Sequence, residues 1–274
     1  MTSKDGNKEL DDARRLAIEI AVEAGVIIQS WRHKIVTRFK SDGTEVTQAD
    51  TEAETHIRKR LEAAYAGAPV LGEEFGGEAK PALGDQWVVD PLDGTTPFSV
   101  GSPMYGTLIA LLRDGEPVVG VIHLPALGET ISAAVGCGCW LEIDDEPPVR
   151  VRVSEVVQLQ DAFVSTSGLH ATEIQANDGA APYSLASLVR HARKLRVLGD
   201  CVQHALVCRG RIDLAIDAIM QPWDSAALIP CVREAGGCVA DMRGCTDELV
   251  FAGSLVSASS PALLDQALDA MNSS

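Results

Sequence analysis

The chain has 274 residues, of which 46% are hydrophobic and 23% charged, a globular balance with enough length to bury a sizeable core. Its formal net charge is -16, which argues against a nucleic-acid or anionic-membrane surface and means that a phosphate ligand needs the help of a cation. No apolar run reaches ~18 residues and no N-terminal apolar stretch precedes a cleavage-like site, so the expectation is a cytoplasmic protein that neither spans a membrane nor is secreted.

In chain order, Leu10, Ala13, Ala17, Ile20, Ala24 and Ile28 fall at helical spacing and predict a packing helix from Leu10 to Trp31. Lys40-Ser41-Asp42-Gly43-Thr44 reads as a polar turn. A second helix follows, carrying Ala53, Ile57, Leu61 and Ala64. Thr47 and Asp50 have the spacing of a capping box at its start, with Asp in place of the usual Glu. Val70-Leu71-Gly72 is a short apolar strand that runs into Glu73 and Glu74. Tyr105–Leu112 and Val118–Leu124 are β-type runs joined by a hairpin signal, Arg113-Asp114-Gly115-Glu116-Pro117. Thr130–Ala134 and Val149–Val153 read as further strands.

The second half alternates differently. Ala162–Ser167 is strand-like, Ala171–Pro182 a loop of small and polar residues, Ser184–Arg193 a helix and Leu195–Leu198 a strand. Gly199-Asp200 is a turn opening a helix through Val207, with Asp200 as its N-cap on the plainest reading. Ile212–Ile216 is a strand ending at Asp217. Asp224 precedes a helical run and is an N-cap candidate; Gly236-Gly237 stops that helix, and Pro261–Met271 forms the last one. The seven cysteines are an odd number in apolar settings, which suggests buried reduced thiols, and Cys137-Gly138-Cys139 is too tight for a zinc pair. With no repeat or long linker, one continuous unit over 1–274 is expected. Residues 1–155 carry Glu73, Asp90 and Asp93, and residues 156–274 carry Asp224.

Trp87-Val88-Val89-Asp90-Pro91-Leu92-Asp93-Gly94-Thr95 is the stretch with chemistry in it. An apolar run ends on a carboxylate, and Pro91 and Gly94 then hold two carboxylates and the Leu92 carbonyl in one tight loop. Oxygen ligands of this kind suit a hard cation such as Mg²⁺. Taken alone, the loop is as readily an ordinary Asp-Pro/Asp-Gly turn.

Gly72-Glu73-Glu74, Asp90-Pro-Leu-Asp93-Gly-Thr95 and Pro222-Trp223-Asp224-Ser-Ala-Ala together are far more specific than any one of them. They resemble the inositol monophosphatase superfamily of Mg²⁺-dependent, lithium-sensitive phosphatases, over nearly the whole chain. Trp87–Thr95, Gly106–Leu112, Gly120–Gly128, Gly199-Asp-Cys201 and the Pro222 segment look most like its histidinol-phosphate phosphatase branch. The resemblance implies an α/β fold, a layered αβαβα sandwich, usually a homodimer. It implies that Glu73, Asp90 and the Leu92 carbonyl bind one Mg²⁺ and Asp90, Asp93 and Asp224 a second, with a looser third near Glu73. Thr95 and Glu73 would orient the attacking water, and Lys40, Asp50 and Glu74 would stand just outside the ligands. The Gly94 and Thr95 amides, if they open a helix, would cradle phosphate. Asp217 matches an acidic position that contacts the leaving alcohol, and Gly199, Asp200 and Cys201 match a neighbouring substrate segment. The chain departs from the family at Thr96-Pro97-Phe98, where Pro97 removes an N–H close to the site.

The expected activity is hydrolysis of L-histidinol phosphate, with inositol 1-phosphate as the alternative. A reading of another class is a fold-retaining binding protein that uses its acidic surface for a protein partner. Phosphate release with and without Mg²⁺ separates the two.

Overall fold

Two amphipathic helices, α1 (Lys4–Trp31) and α2 (Gln48–Ala64), open the chain in a computed structural model that describes residues 4–40, 43, 45–78, 83–144, 146–175 and 183–272. α1 begins ahead of the expected Leu10, because its polar first turns carry no apolar stripe to read. The expected stripes are buried in both helices, except that Ala64 at the end of α2 is exposed. Between them lies a small antiparallel ladder, β1 (Arg38–Phe39) with β2 (Glu45–Val46). Ser41, Asp42 and Thr44 of the expected turn lie outside the described residues.

The next strands are β3 (Val70–Gly72), β4 (Asp85–Asp93), β5 (Gly106–Arg113), β6 (Glu116–Leu124), β7 (Glu129–Ala134), β8 (Gly138–Ile143) and β9 (Val149–Val151), with a short helix α3 (Thr95–Ser99) after β4. They form one sheet in sequence order, parallel only between β3 and β4. Both faces of this sheet are covered. In β5, Leu108, Ala110 and Leu112 enter one core while Ile109 and Leu111 enter another, as strand alternation requires. A fully buried side chain of this size contributes roughly 1.5–3 kcal/mol.

The remaining elements are β10 (Phe163–Thr166), α4 (Leu185–His191), β11 (Lys194–Val197), α5 (Asp200–Cys208), β12 (Leu214–Asp217), α6 (Pro222–Ser225), α7 (Leu228–Glu234), β13 (Cys238–Ala240), β14 (Leu255–Ala258) and α8 (Pro261–Asn272). The five strands order as β11-β10-β12-β14-β13. The expected loop over Ala171–Pro182 is described only as far as Gln175, and 176–182 lie outside the described residues.

The layers follow from the contacts. α1 and α2 cover one face of the larger sheet, α5 and α7 fill the space between the two sheets, and α4 and α8 cover the outer face of the smaller one. This is the αβαβα sandwich. Gly120 fixes how closely the layers meet: a Cβ there would lie 2.2 Å from the Ala227 carbonyl oxygen, so only glycine lets the chain entering α7 touch β6.

Candidate active site

β4 does not stop at Asp90, as the apolar run suggested, but continues to Asp93. Asp90 pairs with Leu108 and Asp93 with Gly106, three steps on one strand against two on the other, so β4 carries a β-bulge where Pro91 has no N–H to give. The bulge is tied down: the Thr107 hydroxyl donates to the Pro91 carbonyl at 2.9 Å, and the Leu92 N–H donates to Asp90 Oδ1 at 2.9 Å. The backbone then reverses at Gly94, with φ 88°, and enters α3. Pro97 is the third residue of that helix, where its missing N–H is one that has no intrahelical acceptor anyway.

Thr95 and Asp50 meet above this loop. The Thr95 hydroxyl lies 3.2 Å from Asp50 Oδ1 and 3.1 Å from the Leu92 carbonyl oxygen. The other Asp50 oxygen closes the expected capping box, accepting from the Thr47 N–H at 2.9 Å and from its hydroxyl at 2.5 Å. One residue therefore starts α2 and aims Thr95.

Glu73 and Glu74 follow β3, and Lys40 joins them, its Nζ 2.9 Å from Glu73 Oε1 and 2.8 Å from Glu74 Oε1. Glu54, which the sequence did not single out, anchors this turn from beneath. It is 0% exposed, accepts from the Glu74 N–H at 2.7 Å and the Phe75 N–H at 3.3 Å, and pairs with Arg58 at 2.7 Å. Its spacing to Arg58 looks like an ordinary surface pair on a helix, which is why the signal is weak.

Asp224 arrives from the other half of the chain. It is not the N-cap expected; Gln221 is, and Asp224 sits three residues on, accepting from the Gln221 N–H at 2.7 Å. Carboxylate oxygens of Asp90, Asp93 and Asp224 all lie within 4.8 Å of one another. Glu73 is within hydrogen-bonding reach of Asp90.

The Gly199-Asp200-Cys201 segment supports the cluster from α5. Gly199, not Asp200, is the N-cap. Asp200 has φ 49°, an uncommon backbone for a non-glycine residue. Its Oδ2 would lie 3.2 Å from a Cβ built on Gly94. The Cys201 N–H donates to Asp93 Oδ2 at 2.6 Å, while its thiol is buried in the core. Asp217 ends β12 nearly buried, with Oδ2 2.8 Å from Gln203 Nε2 and 3.1 Å from His204 Nε2. Gln203 and His204 were not foreseen either.

Burial, with crowding of like charge after it, raises these carboxyls. Burial first, then Glu73, Asp93 and Asp224, pushes the Asp90 carboxyl well above the usual range; burial, then Asp200 and Asp224, does the same to Asp93. Burial raises Asp224 to about 7, with Glu73 and Asp217 adding to it against the Gln221 N–H. Asp200 rises to about 7 through burial and Asp217. A divalent cation would offset this cost, and carboxylate and carbonyl oxygens are the donors that a hard cation takes. The residues present fit such an ion.

Two clefts open onto the cluster and share Glu73. One, of 420 Å³, is lined by Lys40, Ile219, Met220, Gln221, Trp223 and Asp224. The other, of 380 Å³, is lined by residues including Phe39, Gly94, Thr95 and Asp200. All seven cysteines are free, as expected, but Cys245 is exposed and Cys137 and Cys238 are half-buried.

Fold and site are those of a phosphoric monoester hydrolase of the layered α/β kind. Residues 9–273 match the inositol monophosphatase family, and the chain belongs to that family. It is 39% identical over 233 residues to the histidinol-phosphatase of Chlorobaculum parvum, covering 84% of this chain and 86% of that one. To the histidinol-phosphatase of Mycobacterium tuberculosis it is 40% identical over 205 residues, covering 75% and 77%. Among solved structures, the extragenic suppressor protein suhB from Bartonella henselae matches with a TM-score of 0.82 at 28% identity, covering 95% of this chain and 98% of that one.

Proposed function

We propose that the protein is a Mg²⁺-dependent phosphatase acting on L-histidinol phosphate. The observation that carries the metal reading is the convergence of Asp90, Asp93 and Asp224 from opposite halves of the chain to within 4.8 Å. The relatives named histidinol-phosphatase support the substrate.

Asp90, Asp93, Asp224, Glu73 and the Leu92 carbonyl would hold two to three ions. Bound Mg²⁺ neutralises phosphoryl charge, makes water a better nucleophile and assists the leaving oxygen. The chain's own residues do the positioning. With the Thr95 hydroxyl donating to Asp50, its oxygen is left to accept from a water, and Glu73, gripped by Lys40 at Oε1, offers Oε2 for the proton that water loses. As the water oxygen bonds to phosphorus the ester P–O bond breaks, and the departing alkoxide takes a proton from solvent water, balanced by the one that Glu73 accepted and then releases, to become the alcohol. Gly94 would let the backbone approach the phosphoryl group, and Asp217, whose charge acts on Asp200 and Asp224, would meet the alcohol as it departs. An ammonium on that alcohol would pair with a carboxylate more strongly than a hydroxyl would.

The test is phosphate release from histidinol phosphate, inositol 1-phosphate and nitrophenyl phosphate, with Mg²⁺ and with a chelator. The expected result is Mg²⁺-dependent release with the highest kcat/KM on histidinol phosphate. A higher value on inositol 1-phosphate would transfer the assignment to that ester, and no release from any would favour a binding role.

A further inference from the structure

A buried chain of hydrogen bonds runs from Asp217 back into the smaller sheet. His204, on α5, is 0% exposed. Its Nε2 lies 3.1 Å from Asp217 Oδ2 and its Nδ1 lies 2.8 Å from Ser257 Oγ on β14. Gln203 Nε2 donates to the same Asp217 oxygen at 2.8 Å and to the Ile216 carbonyl at 3.2 Å.

The tautomer of a neutral His204 follows from its partners. A proton on Nε2 makes that nitrogen a donor to Asp217, and Ser257 can rotate to donate to Nδ1. The other tautomer would set a nitrogen lone pair against a carboxylate oxygen. Asp217 Oδ2 therefore receives two N–H donors and the carboxylate cannot turn. Gln203 reaches it at a cost, because its Oε1 is buried with no hydrogen-bond partner among the described residues, an arrangement that is destabilising. Flipping the amide would point that oxygen at two other acceptors. Asp217 Oδ1 carries no hydrogen bond among the described residues, and the cleft lined by Ile219 and Met220 begins two residues further along the chain.

We propose that His204, braced by Ser257, is a positioning residue for leaving-group recognition: it fixes Asp217 so that the free oxygen Oδ1 takes the ammonium of an amino-alcohol phosphate. This rests on the substrate reading above and adds to it the device that makes one carboxylate selective. The phosphoryl end of the site is built from other residues, so the effect belongs to the alcohol and not to hydrolysis as such.

The experiment compares His204→Phe, His204→Gln and Ser257→Ala with the wild type on histidinol phosphate and on nitrophenyl phosphate, which has no ammonium. Phe keeps the bulk and removes both nitrogens; Gln can return one N–H donor. Expected for His204→Phe is a KM on histidinol phosphate raised about tenfold or more, with kcat changed by less than about twofold. Its kcat/KM on nitrophenyl phosphate should stay within about twofold of wild type, and His204→Gln should recover most of the KM. Ser257→Ala should move the KM in the same direction by a smaller factor, and it carries the test if His204→Phe does not fold. Equal losses on both esters, or none on either, would overturn the proposal. A wild-type enzyme with no preference for the ammonium-bearing ester would overturn the substrate reading together with this one; a preference that survives both His204→Phe and Ser257→Ala unchanged would overturn this one alone.

Discussion

Glu54 anchors from beneath the turn that carries Glu73 and Glu74. Fully buried, it is held by Arg58 and by two N–H groups of the turn that presents Glu73. Gly72 is packed so tightly against it that a Cβ would lie 2.1 Å from Glu54 Oε1. Removing the carboxylate with Glu54→Ala leaves the Glu74 and Phe75 amides without their acceptor, while Arg58 keeps the Val70 and Gly76 carbonyls, a change that costs about 2–4 kcal/mol for buried donors left unpaired. Chemical denaturation of the variant should show a loss of that size together with weaker Mg²⁺ activation; a stability within about 1 kcal/mol of wild type would mean that the turn holds itself. At this scale the sequence was most informative where a residue's type is bound to one chemistry. Glu73, Asp90, Asp93, Thr95 and Asp224 could be picked out because three short motifs together resemble one family, although each motif alone reads as readily as an ordinary turn or helix start. Glu54, Gln203 and His204 could not, since nothing in the chain's order tells a buried polar side chain on a helix from an exposed one.

The element that shapes the site is the bulged end of β4 with the reversal at Gly94. A Cβ at Gly94 would meet the Met104 carbonyl oxygen at 2.9 Å, and the backbone there is left-handed. Gly101 has a similar φ but nothing within 4 Å. Gly94→Ala should therefore lower kcat/KM by more than about tenfold, because both strain and displacement fall on the end of the site proposed to hold the phosphoryl group. Gly101→Ala bears backbone strain alone and should lower the melting temperature with activity nearly kept; equal activity losses would remove the distinction. Elements with a strong period or a named turn were legible, as in α1, α2 and the β5–β6 hairpin. β8, β13 and β14 were not. β8 opens on Gly138 with a cysteine on either side, β13 follows directly on Gly236-Gly237, which reads as a helix stop, and β14 is four residues interrupted by Ser257. The run after Asp224 reads as the start of one helix, but α6 is a separate helix of four residues with Gln221 as its N-cap and Asp224 as its third residue.

For the molecule as a whole, the acidic cluster couples stability to pH and, on the proposed reading, to metal. Asp224, Asp200 and Glu74 titrate at about 7 when no cation is bound, raised first by burial. In the unfolded chain they titrate near ordinary carboxylate values, so between about pH 4 and about pH 7 the folded state holds more protons. Stability from these groups is therefore full below that window and is lost as pH rises through it. Asp11 and Asp241, lowered by arginine partners and hydrogen bonds against the opposing effect of burial, act with the opposite sign and only at lower pH. On the proposed reading Mg²⁺ would take the deprotonated carboxylates, so its stabilising effect should grow over the same window. Melting curves in chelator should fall from about pH 5 to about pH 8 while curves in Mg²⁺ stay flatter; parallel curves would contradict the coupling. The five layers explain how residues over a hundred positions apart reach one point. α5 and α7 are packed by both sheets, Cys201 on α5 holds Asp93, and Gly120 seats the chain after Asp224 against β6.

On the proposed reading, carboxylates from both halves of the chain grip one group of divalent ions. Calorimetric titration of Mg²⁺ into the wild type, Asp93→Asn and Asp224→Asn tests it most directly, with circular dichroism as the check on folding. Each neutral amide is a poorer ligand for a hard cation, so both folded variants should bind Mg²⁺ at least about tenfold more weakly and lose turnover by orders of magnitude. Wild-type affinity in either folded variant would contradict it.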